Sequence, residues 1–286
     1  MKKIAIVTYP EKQEIQPDDS LFTELLEKSG AQVIGICWDD EKTVWTDFDL
    51  VIIRSPWDYY KRENEFHLWL DKLENQKANV LNPVMVIRTN MEKSYLRKLE
   101  DSGVSIIPTR WIAKNKPTSL KKILTNQHWK KAVVKPTVSA GSYETFVTTF
   151  ESAETDQTQF ELITKKCGVM IQPFMDEIIS NGEISMLFFN GEFSHAVLKK
   201  PQQGDFRVQP KFGSSITEFQ PDEVLLKTAK SIVEKVSNSL LYARVDGIIS
   251  NGKFLLMELE LIEPMLFLAY GKQSAKRFAD AVMERL

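Results

Sequence analysis

Apolar residues fall along the chain in short blocks whose spacing alternates between strand-like and helical. Lys3 to Thr8 is β-rich, Leu21, Leu25 and Leu26 keep a helical spacing that Asp19 or Ser20 is placed to cap and Gly30 to end, and Ala31 to Cys37 is β-rich again. Leu50 to Ile53 is a third strand, short and wholly apolar. Strand, helix, strand in that order predicts a parallel sheet with crossovers, and in such sheets ligands meet the carboxyl ends of the strands. An amphipathic helix carrying Phe66, Trp69, Leu70 and Leu73 follows, and Asn82-Pro83 closes this first region. Further on, the pattern predicts a helix from Asn90 to Ser102 stopped by Gly103 and a strand from Ala132 to Lys135. It then predicts a β-rich segment through Phe150, a helix from Glu151 to Lys166 and a strand from Val169 to Phe174. A hairpin turns at Asn190-Gly191, and Glu223 to Asn238 reads as an amphipathic helix. Lys114, Lys116, Lys121 and Lys122 read as a solvated helix face.

A second hairpin, Tyr242 to Glu263, is the most informative stretch. Asn251-Gly252 marks its turn, and the choice of register decides where the charges go. A two-residue loop would set Asp246 away from Glu258 and Glu260. A three-residue loop, Ser250-Asn251-Gly252, gathers Arg244, Asp246, Glu258 and Glu260 on one face and Val245, Ile249, Leu255, Met257 and Leu259 on the other. Apolar sorting favours the three-residue loop. Carboxylates gathered that way repel by roughly 4 kcal/mol per pair at about 4 Å and an effective dielectric near 20, and one arginine does not offset that. Such a cluster suits Mg²⁺ with substrate phosphates, or else it is a solvated strand end with a structural Arg-Glu pair.

Composition narrows the partners. With 286 residues and 43% hydrophobic content the chain can fill real cores, and 37 Lys plus Arg against 39 Asp plus Glu leaves no broad field for gripping nucleic acid. Cys37 and Cys167 stand far apart without metal spacing, which fits a reducing compartment. His67, His128 and His195 share no ligand spacing and read as packing or surface residues. No apolar run approaches about 18 residues and the N-terminus is too short for a signal core, so a cytoplasmic protein without a membrane span is expected.

The chain has neither GxxxxGK[ST] nor GxGxxG, so a phosphate cradle must come from elsewhere. Lys135 ends a strand before the small-residue loop 138–142, and a second glycine-bearing loop, 201–215, carries Arg207. Arg54-Ser-Pro-Trp-Asp-Tyr-Tyr60 follows the third strand and is either a substrate contact through Arg54, Trp57, Asp58 and Tyr59 or a packed turn.

In this order the motifs resemble the ATP-grasp ligases, the superfamily of glutathione synthetase and D-alanine:D-alanine ligase. The segments 55–60 and 258–264 look closer to a subset that includes the cyclo-ligase of D-cycloserine biosynthesis. The resemblance implies an α/β (α+β) fold with an N-terminal open parallel-sheet domain (1–88), a small central lid lobe (89–172) and a C-terminal antiparallel-sheet lobe (173–286). It further implies that Lys93 and Lys135 touch phosphate and that Ser139, Gly141 and Ser142 form the flap over it. Gln172, Pro173, Phe174 and Met175 would meet adenine, and Glu177 the ribose. Arg207, Arg244 and Lys199 would serve catalysis, with Asp246, Glu258 and Glu260 as metal ligands. Relatives often have a DxR-like pattern where this chain has Gly182-Glu183-Ile184-Ser185, and an asparagine where it has Glu260. The expected activity is ATP-dependent joining of a small amino-acid-like carboxylate to an amine through an acyl phosphate, using Mg²⁺ or Mn²⁺. The alternatives are a phosphotransferase of the same fold or a non-catalytic ATP-binding regulator. No nucleic acid or membrane partner is expected, and dimers are common among the resembling proteins.

Overall fold

The computed structural model describes residues 1–116 and 118–286. The chain begins with β1 (Lys3–Thr8), α1 (Pro17–Lys28), β2 (Gln32–Cys37), β3 (Leu50–Ile53), α2 (Glu63–Gln76) and β4 (Val80–Leu81), and the four strands form a parallel sheet ordered β2-β1-β3-β4. Alternation along β1 sends Ile4 and Ile6 to one face with Phe22 and Leu26 of α1, and Ala5 and Val7 to the other with Phe66, Leu70 and Leu73 of α2. α1 starts two residues before the expected cap. Pro17 opens it, and Asp18 and Asp19 fall inside its first turn. Neither aspartate caps the helix, because Asp18 accepts the backbone N–H groups of Leu266 and Leu268, and Asp19 is buried against Arg54.

Of the helix expected over 90–102 only α4 (Tyr95–Asp101) forms; α3 (Val84–Asn90) precedes it, and the two are separated where Lys93 turns inward and its backbone N–H reaches Thr137 O. A second sheet, ordered β5-β8-β6-β7, follows from β5 (Arg110–Ile112), α5 (Leu120–Gln127), β6 (Lys131–Pro136), β7 (Phe146–Thr149), α6 (Ala153–Lys166) and β8 (Val169–Pro173). α5 and α6 cover it through Leu120, Leu124, Phe160 and Ile163. Of the four lysines expected on one helix face, only Lys121 and Lys122 lie in α5.

The remainder comprises α7 (Glu177–Ser180), β9 (Glu183–Phe189), β10 (Glu192–Lys200), β11 (Ser215–Phe219), α8 (Glu223–Glu234), β12 (Tyr242–Ser250), β13 (Lys253–Glu260) and α9 (Ser274–Met283). Its antiparallel sheet runs β11-β10-β9-β12-β13. One face packs on α4 and α8, the other on α1 and α9, where Phe22 and Phe278 meet edge-on at 4.6 Å. α8 ends four residues early, and its apolar Val224 is exposed. β5, β11 and α9 were not expected.

A buried polar tie fixes the first sheet on the third. Asn82 donates to the carbonyls of Tyr242 and Leu261 and accepts from the N–H groups of Leu241 and Tyr242. His195, only 6% exposed, lies with Nε2 2.9 Å from Leu266 O. Burial pushes its imidazolium down to about 4. The unfolded chain therefore takes up a proton near pH 6.5 that the folded chain refuses until about 4. Stability is complete above pH 6.5 and should fall by about 3 kcal/mol between 6.5 and 4. Urea midpoints measured over that range should decline less steeply in His195→Gln than in the parent.

Candidate active site

β12 and β13 pair with Arg244 opposite Glu260 and Asp246 opposite Glu258, so the four charges share one face as apolar sorting predicts. The route to that register differs from the expected one. Ser250 pairs with Lys253, and Asn251 and Gly252, both left-handed at φ 50° and 74°, make a two-residue turn. A bulge between Asp246 and Gly247 then restores the parity that the three-residue loop was invoked to supply. Beyond the bulge the sorting differs from expectation: Ile249 is exposed, while Leu256 joins Val245 and Leu259 in the core. Gly247 is required there because a Cβ would fall 2.4 Å from Leu255 O. On the site side, Ile248, Leu255 and Met257 gather with Ile107, Ile178, Val208 and Met175. This apolar ledge continues the carboxylate face towards Glu177, which accepts from Ser250 Oγ at 2.5 Å.

Four cations interleave with the acids, so the arginine does not stand alone. Arg244 grips both oxygens of Asp246 and reaches Glu260. Lys93 lies 2.8 Å from Glu258 and donates to Ser139 O at 2.7 Å. Lys199 lies 2.5 Å from Glu183 and 3.8 Å from Asp246. Ser185 completes the hold on Asp246 at 2.5 Å. Lys135, on β6, forms no ion pair among the described residues. Burial and the neighbouring Lys93 push its ammonium below the usual lysine range, against the pull of Glu258 and Glu183. Glu260 shows the opposite imbalance, pushed up to about 8 by burial and by Asp246, Glu258 and Glu263, despite Arg244.

Elsewhere the expected residues divide. Lys131 Nζ lies 3.4 Å from the Phe174 ring centroid, and Phe174 N–H belongs to the sheet through Lys131 O. Pro173 pairs with Ala132, and Met175 joins the apolar ledge. Gln172 is buried and donates to Thr109, so its side chain is a structural tie. Ser139 is buried, while Gly141 and Ser142 take left-handed φ of 57° and 62° in a flap whose Tyr143 packs on Tyr60 at 5.0 Å. Arg207 is not brought to the cluster. Asp205 holds its guanidinium, which stacks on Phe212 at 3.6 Å.

The loop after β3 is largely a packed turn. Arg54, 2% exposed, pairs with Asp19 at 2.9 Å, donates to Pro264 O at 2.6 Å and leaves Nη1 without a partner among the described residues. Asp58 accepts Trp38 Nε1 at 2.7 Å and Arg62. Tyr59 is buried and faces Glu263, Glu258 and Glu260. Trp57 Nε1 reaches Glu263 O at 3.4 Å. Two acids in the cluster, Glu183 and Glu263, lay outside the expected site. Glu183 was accessible as an opposite charge to Lys199 at the far ends of one hairpin; Glu263 follows the last strand and has no periodicity to expose it.

Among the described residues no three acidic, histidine or cysteine side chains form a ready-made metal cage. Mg²⁺ needs none, since it binds through one or two carboxylates and completes its shell with water and phosphates. Glu258 and Glu260 each face a cation through one oxygen, and the raised Glu260 carboxyl marks a local shortage of positive charge, so this donor set fits a divalent ion. Asp246 has both oxygens committed to Arg244 and Ser185 and would have to release them to join.

The prokaryotic glutathione synthetase ATP-grasp domain matches residues 95–265, and the chain belongs to that family. It is an ATP-dependent ligase of the ATP-grasp class. Residues 4–82 match the N-terminal domain of D-cycloserine synthetase DcsG. The cycloserine biosynthesis protein DcsG of Streptomyces lavendulae is 27% identical over 264 residues, 87% of each chain. The crystal structure of D-cycloserine synthetase DcsG superposes with a TM-score of 0.88 at 25% identity over 99% of each chain. A D-alanine–D-alanine ligase of Bacillus anthracis complexed with ATP shares the fold, with a TM-score of 0.70 at 15% identity over 100% of this chain and 97% of that one. Among the described residues no helix is long and apolar enough to cross a membrane.

Proposed function

We propose that the enzyme phosphorylates the carboxylate of a small amino-acid-like substrate with ATP and couples the resulting acyl phosphate to an amine or similar nitrogen nucleophile. The observation that carries this reading is a pair of opposite unmet demands bordering Glu258. Lys135 forms no ion pair among the described residues, and Glu260 shares its one cation, Arg244, with Asp246, so that its carboxyl is still pushed up. A metal-bound triphosphate answers both at once.

In this reading a substrate carboxylate oxygen attacks the terminal phosphorus, ADP leaves, and the nitrogen nucleophile then attacks the acyl carbon and expels phosphate. Lys93 and Lys135 offset the charge developing on the phosphoryl oxygens, while Arg244 and Lys199 hold Asp246 and the strand that carries it. Glu258 and Glu260 would hold the Mg²⁺, which supplies Lewis-acid neutralisation of phosphate charge when bound. The ledge of Ile107, Val208, Ile248 and Met257 supports a nucleobase, with Met175 at its edge and Glu177 near the ribose. The flap at 139–142 excludes water from an intermediate that hydrolyses readily.

The segments divide this work: 1–88 faces the substrate, 89–172 carries both lysines and the flap, and 173–286 the carboxylates. The relative named D-cycloserine synthetase supports an amino-acid-derived carboxylate. Incubation with ATP, hydroxylamine and a panel of amino acids should yield a hydroxamate in step with ADP. ADP release without hydroxamate would instead support phosphoryl transfer to an alcohol.

A further inference from the structure

We propose that Tyr60 and Tyr143 are positioning residues that latch the phosphate flap onto the loop after β3, so that the region 1–88 governs whether the acyl phosphate meets the nitrogen nucleophile or water. The proposal rests on the ligase reading and adds the pair of rings that keeps the two half-reactions together.

The flap joins β6 to β7, and its two stems are fastened within their own lobe. Lys93 donates through Nζ to Ser139 O at 2.7 Å and through its backbone N–H to Thr137 O at 2.7 Å, and Glu144 pairs with Lys166 at 2.5 Å. The tip reaches out of that lobe. Ala140 packs against the apolar cluster of the first sheet, and the Tyr143 ring lies 5.0 Å from that of Tyr60, with the planes at 48°. Lys211 also approaches the tip, since a Cβ on Gly141 would fall 3.0 Å from its Nζ, but the end of a flexible chain sets no position. The tip needs a fixed seat because Gly141, Ser142 and Glu144 all take left-handed φ, of 57°, 62° and 51°, a conformation that is costly for the serine and the glutamate. The seat is rigid. Tyr60 stands edge-on to Tyr59 at 6.1 Å, Tyr59 is buried against Phe66 at 5.2 Å, and Asp58 is held by Trp38 and Arg62. Tyr143 itself is 40% exposed, so its contact can part without opening a core. When it parts, water reaches the acyl carbon, the bond to the phosphate oxygen breaks, and the carboxylate returns, with one proton of the water on the released phosphate and the other in solvent.

The test measures ADP and hydroxamate together in the full chain, at a fixed sub-saturating hydroxylamine concentration and with the carboxylate that serves the parent best. Tyr143→Ala and Tyr60→Ala should each raise the ADP formed per hydroxamate about fivefold, and the double variant should match either single one. Tyr143→Phe keeps the ring and should keep the parent ratio. Hydrogen exchange of the backbone over 138–145 should quicken by about the same factor in both alanine variants. An unchanged ratio in either alanine variant, including a parallel loss of both products, overturns the proposal and keeps the ligase reading. So does a double variant whose effect is the product of the two single ones. A parent that forms ADP but no hydroxamate with any carboxylate overturns both.

Discussion

Glu258→Gln should lower ADP formation about 1,000-fold while the protein still binds ATP within about threefold of the parent affinity. The substitution keeps the shape of the side chain and one neutral oxygen, so β13 and its pairing with Asp246 are retained. What it removes is the charge at the centre of the site. Lys93, 2.8 Å away, loses its partner, and Lys135 loses the carboxylate that most favours its protonated form. On the proposed reading ATP would still find both lysines and the apolar ledge, so binding persists. The site would lose one of the two carboxylates that would hold Mg²⁺, and with it the neutralisation of phosphate charge that turnover needs. Nucleotide titration by calorimetry alongside single-turnover ADP measurement separates the two quantities. ADP formed at the parent rate would remove Glu258 from the metal site.

Arg54→Met should cost about 3–5 kcal/mol of stability, read from urea denaturation, because it leaves Asp19 as an uncompensated charge in a dry interior. The arginine joins three parts of the chain. It comes from the end of β3, pairs with the first turn of α1 and donates to the carbonyl of Pro264, while its guanidinium stacks on Tyr242 at 5.0 Å. Replacing both charges, as in Asp19→Leu with Arg54→Met, should recover most of the loss, since well-packed apolar groups often match a buried ion pair. Were Arg54 chiefly a substrate ligand, the single variant would keep its stability and raise KM alone.

The parts of the fold with strong local periodicity were legible. β1, β2, β3 and α2 follow from apolar spacing, and the buried face of α2 is the predicted set of Phe66, Trp69, Leu70 and Leu73. α9 escaped because its apolar residues follow a loop rich in aromatic and apolar side chains, which masks where the period begins. The break between α3 and α4 escaped because it serves a long-range contact, Lys93 to Thr137 O, that local propensity does not encode. The same limit governs the site. Arg244, Asp246, Glu258 and Glu260 were found because one hairpin holds them at short range. Arg54 looked like a ligand residue because its partners, Asp19 and Pro264, lie 35 and 210 positions away. Arg207 read as a free cation although Asp205, two residues off, holds it.

The bulge at the middle of the β12–β13 hairpin divides that element mechanically. Slippage between the strands can be absorbed where the ladder is already irregular, before it reaches the acidic half. Descendants of such a ribbon are free to lengthen or trim the outer arm, reshaping the apolar ledge of Ile248, Leu255 and Met257, while the inner arm keeps its charges in place.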